Sequence, residues 1–225
     1  AAGTTVPMET GEDETVVIRH GDLMPAVLFY DPTLYETTPA NVLAGSAING
    51  FDKAIETIYS TAANPITDAT AVRSLRYLRT SLPELRDADD PTVIERAVLG
   101  IVLAQYGISR PSGTTINIVH AFGQGLRIEF GIQQGVAHAV AVPHVLGLLF
   151  DHVDGRRDVL AEGLVEGDPT ATASAVVDAV AAVRDGLNLP SRLRDVAGTE
   201  KSRLGAAAER IHGNDLLERS PGAFD

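Results

Sequence analysis

From Thr38 onward the apolar residues of this sequence recur at three- and four-residue steps, a spacing that commits most of the chain to packed helices. Ala44, Ile48, Phe51, Ile55 and Ile58 form the first stripe, opened by Thr38 as N-cap and Pro39 as the first helical residue. Pro65 opens a second helix through Val72, Leu75 and Leu78, ending near Pro83. Asp90 and Pro91 start a third. Its Ile94, Val98, Ile101 and Leu103 are apolar nearly all round, which places it centrally. Residues 114–130 read as a fourth helix and 134–149 as a fifth, with Pro143 set to kink or break it. An alanine- and valine-rich sixth covers 171–187, and a last pair follows the turn at Leu189 to Leu193.

The first third differs. Residues 14–20 and 26–30 are β-branched or aromatic and bounded by Gly, Asp and Pro, as short strands are. Two short strands are too few for an independent sheet, so they are expected to join strands elsewhere. No repeat, low-complexity tract or linker divides the chain. The expected fold class is therefore mainly α: a helical bundle with a short N-terminal β appendage.

Composition removes several functions. With no cysteine among 225 residues there is no disulfide, no thiolate zinc site and no cysteine nucleophile. A metal would have to rest on His, Asp, Glu or Gln. Thirty acidic residues against 18 basic ones give a formal charge of −12, and only Lys53 and Lys201 are lysines. Such a surface disfavours nucleic acid and anionic membranes as partners. It fits adaptation to high salt, the alternative being an arginine-rich protein from a GC-rich organism. No apolar run reaches the ~20 residues that span a bilayer. No leader opens the chain either, which makes the cytoplasm the expected location.

Several segments, in order, resemble the iron-containing alcohol dehydrogenase superfamily, which includes maleylacetate reductases. Ala2-Gly3-Thr4-Thr5 is similar to its glycine-threonine loop, and residues 24–32 to its Leu-Pro-x-x-x-Ile-x-Asp-Pro stretch. Ala54-Ile55-Glu56 with Tyr59, and Asn64-Pro65 with Asp68, match two further pieces. His120-Ala121, Gly135-Val136-Ala137, Pro143-His144-Val145 and Leu189-Pro190 through Asp195 complete the series.

The resemblance implies the C-terminal helical domain of the dehydroquinate-synthase-like, iron-alcohol-dehydrogenase fold. Residues 1–37 would belong to a missing nucleotide-binding domain or subunit, and 38–225 would form the helical domain. It implies NAD or NADP as cofactor, held mainly by that missing domain. Gly3 and Thr4 of this chain would contact the phosphates through backbone amides. The substrate would be a small alcohol, aldehyde or ketone, or a maleylacetate-like molecule, and a homo-oligomer is compatible with the family.

The metal ligands that the resemblance implies fall on Asn49, Lys53, His120 and Gln134. Only His120 is a good ligand. An ammonium on Lys53 would stand where the cation belongs, so no metal is expected in this chain. Lys53 either stabilises a developing alkoxide in the ion's place or pairs with Asp52 or Glu56. His120 is either catalytic or a satisfied core histidine. Asn49, Gln124, Gln134 and Arg127 are candidate substrate contacts, Arg127 as a carboxylate clamp. His138, His144 and His152 read as structural or surface residues. A non-catalytic helical module that binds a partner or small ligand is the second functional reading.

Overall fold

The structure is a computed structural model that describes residues 6–9, 15–18, 26–35, 37–87, 90–108 and 114–222. Its elements are β1 (Val6–Glu9), β2 (Thr15–Ile18), α1 (Pro32–Tyr35), α2 (Ala40–Tyr59), α3 (Pro65–Ser81), α4 (Pro91–Ile108), α5 (Ile118–Phe130), α6 (Gln134–His152), α7 (Arg157–Leu164), α8 (Ala173–Gly186) and α9 (Leu204–His212). Short 3-10 turns follow α3 and flank α9. The mainly helical expectation is met.

Helix α2 is the pivot. It packs against α3, α4 and α6 and also touches α5 and α7. Being surrounded, it buries Ile48, Phe51, Ile55, Ile58 and Tyr59 almost completely. Leu75, Leu78, Leu146, Leu149 and Leu160 close around them in one continuous core. A second apolar cluster joins α5 and α6 to α9 through Ala121, Leu126, Ala137, Ala207 and Ile211.

Two glycines set how α6 lies on α2. A methyl group built on Gly135 would meet the Gly45 carbonyl oxygen at 1.7 Å, so the two backbones touch where no side chain fits. Only glycine permits that approach.

Polar groups fix the element ends. Asn64 accepts from the amides of Ile66 and Thr67 while the Thr67 hydroxyl serves the Asn64 amide, a reciprocal capping box that starts α3. Arg156 sits in the left-handed region, φ 56°, and its guanidinium reaches both oxygens of Asp68 at 2.9 and 2.7 Å and the Ile58 carbonyl at 3.0 Å. One side chain thereby ties the end of α2 and the start of α3 to α7.

Several expectations need correction. Residues 26–30 form no strand. The segment 15–18 pairs antiparallel with β1, which the sequence reading did not mark, and β-branched composition alone supplies no partner. Pro39 is the N-cap residue of α2 rather than its first helical residue, and no side chain caps it. Residues 114–117 are neither helix nor strand and α5 begins at Ile118, because Asn117 turns its side chain onto the Ile118 amide. Pro143 neither breaks nor ends α6, since a missing N–H forfeits one backbone bond inside a helix buried along most of its length. Helix α7 went unread, and the final pair is one α-helix with 3-10 turns.

Candidate functional site

Where α2, α5 and α6 meet, the apolar core is interrupted by carboxylates and imidazoles. Asn49, Asp52 and Glu56 follow one another at three- and four-residue intervals along α2, with Lys53 four after Asn49 and three before Glu56, and form a polar stripe on a helix otherwise surrounded by core. Asp52, Glu56 and His138 are completely buried and His120 is 3% exposed, whereas Lys53 and Asn49 are partly covered.

Glu56 joins two helices. Its Oε1 accepts from the backbone amides of Asn117, Val119 and His120 at 3.1, 2.7 and 3.1 Å. These are amides of the first turn of α5, where helical donors lack intrahelical partners and the helix dipole favours an anion. The other oxygen, Oε2, is in close contact with His120 Nδ1. A carboxylate only accepts, so Nδ1 carries the proton. One carboxylate therefore both caps α5 and orients its histidine.

Asp52 lies one turn earlier. Its Oδ2 is 3.1 Å from Nδ1 of His120 and 3.1 Å from Nδ1 of His138. Neither contact is aligned as a hydrogen bond: both Asp52 oxygens and His138 Nδ1 are buried without a hydrogen-bond partner. The two imidazoles stack edge to face, with centroids 4.5 Å apart. Gly123 makes this packing possible, since a methyl group there would meet His138 Nε2 at 2.2 Å. On its outer side His138 Nε2 faces the Gln134 amide nitrogen at 3.4 Å.

The electrostatics follow from burial and neighbours. Burial pushes His120 down, but Glu56 and Asp52 outweigh it and raise it to about 9. Burial and the charge of His120 hold His138 below the usual histidine range, against the pull of Asp52. The Asp52 carboxyl is pushed up by burial, yet His138 and His120 together bring it below its ordinary value. Glu56 is raised by burial and by Asp52, with His120 opposing. Burial lowers the Lys53 ammonium, and Asp52 and Glu56 resist the shift.

The sequence candidates thus fall into three groups. Lys53, His120, Asn49 and Gln134 converge on this junction, with Asn49 Oδ1 buried and unpartnered. Gln124 and Arg127 do not share its contacts: Gln124 accepts from Asn214 at 2.9 Å, and Arg127 occupies the last turn of α5 without a bond to the cluster. Gly3 and Thr4 lie outside the described residues. Sequence reasoning missed His138 and gave Asp52 and Glu56 only as counter-ions for Lys53. The signal was present in the four-residue step from Gln134 to His138 and in the stripe on α2.

The ligand positions implied by the family do not fit a metal ion: an ammonium, two carboxamides and one imidazole offer a divalent cation a single good donor. Among the described residues, the group whose donor atoms lie close enough to hold an ion is a different one, Asp52, His120 and His138. No helix of the described residues is long and apolar enough to cross a membrane.

Comparison with known proteins places this geometry. The profile of the Fe-containing alcohol dehydrogenase family, C-terminal, matches residues 43–223. Lactaldehyde reductase of Escherichia coli is 26% identical over 194 residues, 83% of this chain and 48% of that protein. Maleylacetate reductase of Sphingobium indicum is 28% identical over 161 residues, 71% of this chain and 43% of that protein. The crystal structure of sulfoacetaldehyde reductase from Bifidobacterium kashiwanohense in complex with NAD+ superposes with a TM-score of 0.81 at 20% identity, covering 94% of this chain and 54% of that one. The chain spans about half the length of the curated relatives it matches.

Proposed function

We propose, since this chain belongs to the Fe-containing alcohol dehydrogenase family, that it is the substrate-side helical domain of an NAD(P)-dependent oxidoreductase acting on a small alcohol, aldehyde or ketone. The observation that carries the reading is the polar junction itself. A lysine and a carboxylate-held histidine lie where α2, α5 and α6 meet, at two of the positions for which the family resemblance implies metal ligands. In the reductive direction a nicotinamide held by the nucleotide-binding domain would supply hydride for the carbonyl carbon. The carbonyl oxygen then needs a positive group beside it and one proton.

Lys53 can provide both. Burial makes its ammonium a better acid than an exposed lysine, and a charged donor aimed at a developing alkoxide acts as an oxyanion-hole donor does. Glu56 holds the His120 ring in place, so His120 keeps its orientation through the cycle. Asn49 and Gln134 line the same junction and offer hydrogen bonds to the substrate. No step is assigned to a metal at the family's positions.

The domain would work with a nucleotide-binding domain, with residues 1–37 as the join. Two facts support this: the chain covers about half of its relatives, and Val27, Leu28, Phe29 and Leu34 expose 60% or more of their surface. The second reading, a non-catalytic helical module, is favoured by the loss of three good ligands. Against it, the junction keeps polar groups buried without partners, each costing about 1–3 kcal/mol, where apolar replacements would be more stable.

The test is NAD(P)H oxidation with a panel of small aldehydes and ketones. The chain would be assayed alone and co-expressed with the nucleotide-binding half of a family member. Turnover is expected only in combination. Lys53→Met should reduce it by about 10²–10³, as loss of one oxyanion donor does. Turnover indifferent to Lys53→Met, or none with any partner, would reject the reading.

A further inference from the structure

We infer that Asp52, His120 and His138 form a binding site for a divalent transition-metal ion, one that shares only His120 with the positions implied by the family. The inference stands on the buried cluster and does not depend on the proposed reaction. Three features carry it. First, the donor set is of the right kind: two imidazole nitrogens and a carboxylate oxygen suit zinc or cobalt(II). Second, the spacing suits an ion. Metal–ligand bonds near 2.0–2.1 Å imply ligand–ligand edges of about 3.3 Å in a tetrahedral site, and both Nδ1 atoms lie 3.1 Å from Asp52 Oδ2. Third, two of the three donors have no hydrogen-bond partner among the described residues, the exception being His120 Nδ1, which Glu56 Oε2 holds and which would release its proton on ligation. Asp52 is completely buried with neither oxygen hydrogen-bonded, and His138 Nδ1 is likewise buried and unpartnered. An unsatisfied carboxylate at full burial is costly. Both rings nevertheless turn the same nitrogen toward the same oxygen.

The neighbours are consistent with an enclosed ion. Glu56 touches His120 Nδ1 from outside the three-donor group and stays anchored to α5 through Oε1. Gly123 leaves the space that the His138 ring occupies. With its ligands buried, such a site resembles structural centres, which lack an open coordination position, more than catalytic ones. It ties α2, α5 and α6 together.

The full chain, stripped with chelator and dialysed, is titrated with zinc by calorimetry and with cobalt(II) by visible absorption. One ion per chain is expected. Asp52→Asn and His138→Gln should each weaken it by at least about tenfold, and Asn49→Ala, at a family ligand position, should leave it unchanged. Circular dichroism checks that each variant keeps its helices. In the wild-type chain, zinc should also shift the imidazole resonances of His120 and His138 and leave those of His144 and His152 in place, which keeps the test decisive if a variant misfolds. Absence of saturable binding overturns the assignment and leaves a metal-free histidine–carboxylate cluster. Binding that survives Asp52→Asn and His138→Gln, or that Asn49→Ala abolishes equally, also overturns it.

Discussion

Replacing Glu56 with alanine puts a number on the joint between α2 and α5. The backbone amides of Asn117, Val119 and His120 would lose their shared acceptor, and His120 Nδ1 would lose its carboxylate. The side chain of Asn117 already serves the Ile118 amide and cannot replace it. Four buried donors, three amides and the His120 ring N–H, left unmet at about 1–3 kcal/mol each set an upper range. Relief of the repulsion between Glu56 and Asp52 lowers the sum, as does any water drawn into the gap. We expect a loss of about 3–5 kcal/mol, comparable to removing one member of a buried charged pair. Against a typical total of ~5–15 kcal/mol that is a large fraction. Glu56→Gln keeps one carbonyl oxygen for the amides and alters only the side facing His120, so it should cost about 1–2 kcal/mol. Urea unfolding followed by circular dichroism, compared at constant m-value, gives both numbers. An alanine variant within about 1 kcal/mol of wild type would refute the capping role, as would a glutamine variant equal to alanine.

Gly135→Ala should be destabilised by at least about 3 kcal/mol, because its methyl group would overlap the Gly45 carbonyl and push α6 away from α2; a midpoint unchanged in the same urea assay would contradict that contact. Thermal stability should rise from low to molar potassium chloride. Screening shortens the Debye length from ~8 Å at 0.15 M to ~3 Å at 1 M and relieves repulsion within a chain of formal charge −12, so a flat or falling midpoint would remove the high-salt reading.

The framework was legible wherever one segment carried its own signal. Pro65 announces the start of α3, and the stripe from Ile48 to Ile58 marks the buried face of α2. Features that depend on another segment were not legible. Residues 26–30 have strand composition but meet no pairing partner among the described residues. Helix α7 is short and starts from a left-handed arginine, with no side-chain cap to announce it. Pro143 was weighed by its local cost, and the packing around α6 outweighs that cost. The site divides the same way. Likeness to a family pointed to Lys53 and His120, whereas the meeting of Asp52 with His138 depends on how α6 lies across α2, which no local spacing encodes.

That crossing has a consequence for how such a site can change. The contact between Gly45 and Gly135 is backbone against backbone and lies one turn from Asn49 on α2 and one turn from His138 on α6. The angle at which the helices meet is therefore fixed by atoms every residue shares, not by the carboxylates and imidazoles above it. Substitutions at 49, 52, 53, 134 and 138 can exchange one set of chemical groups for another while the scaffold beneath holds its shape. A chain built this way can lose a ligand at one position and acquire one at the next without first having to refold.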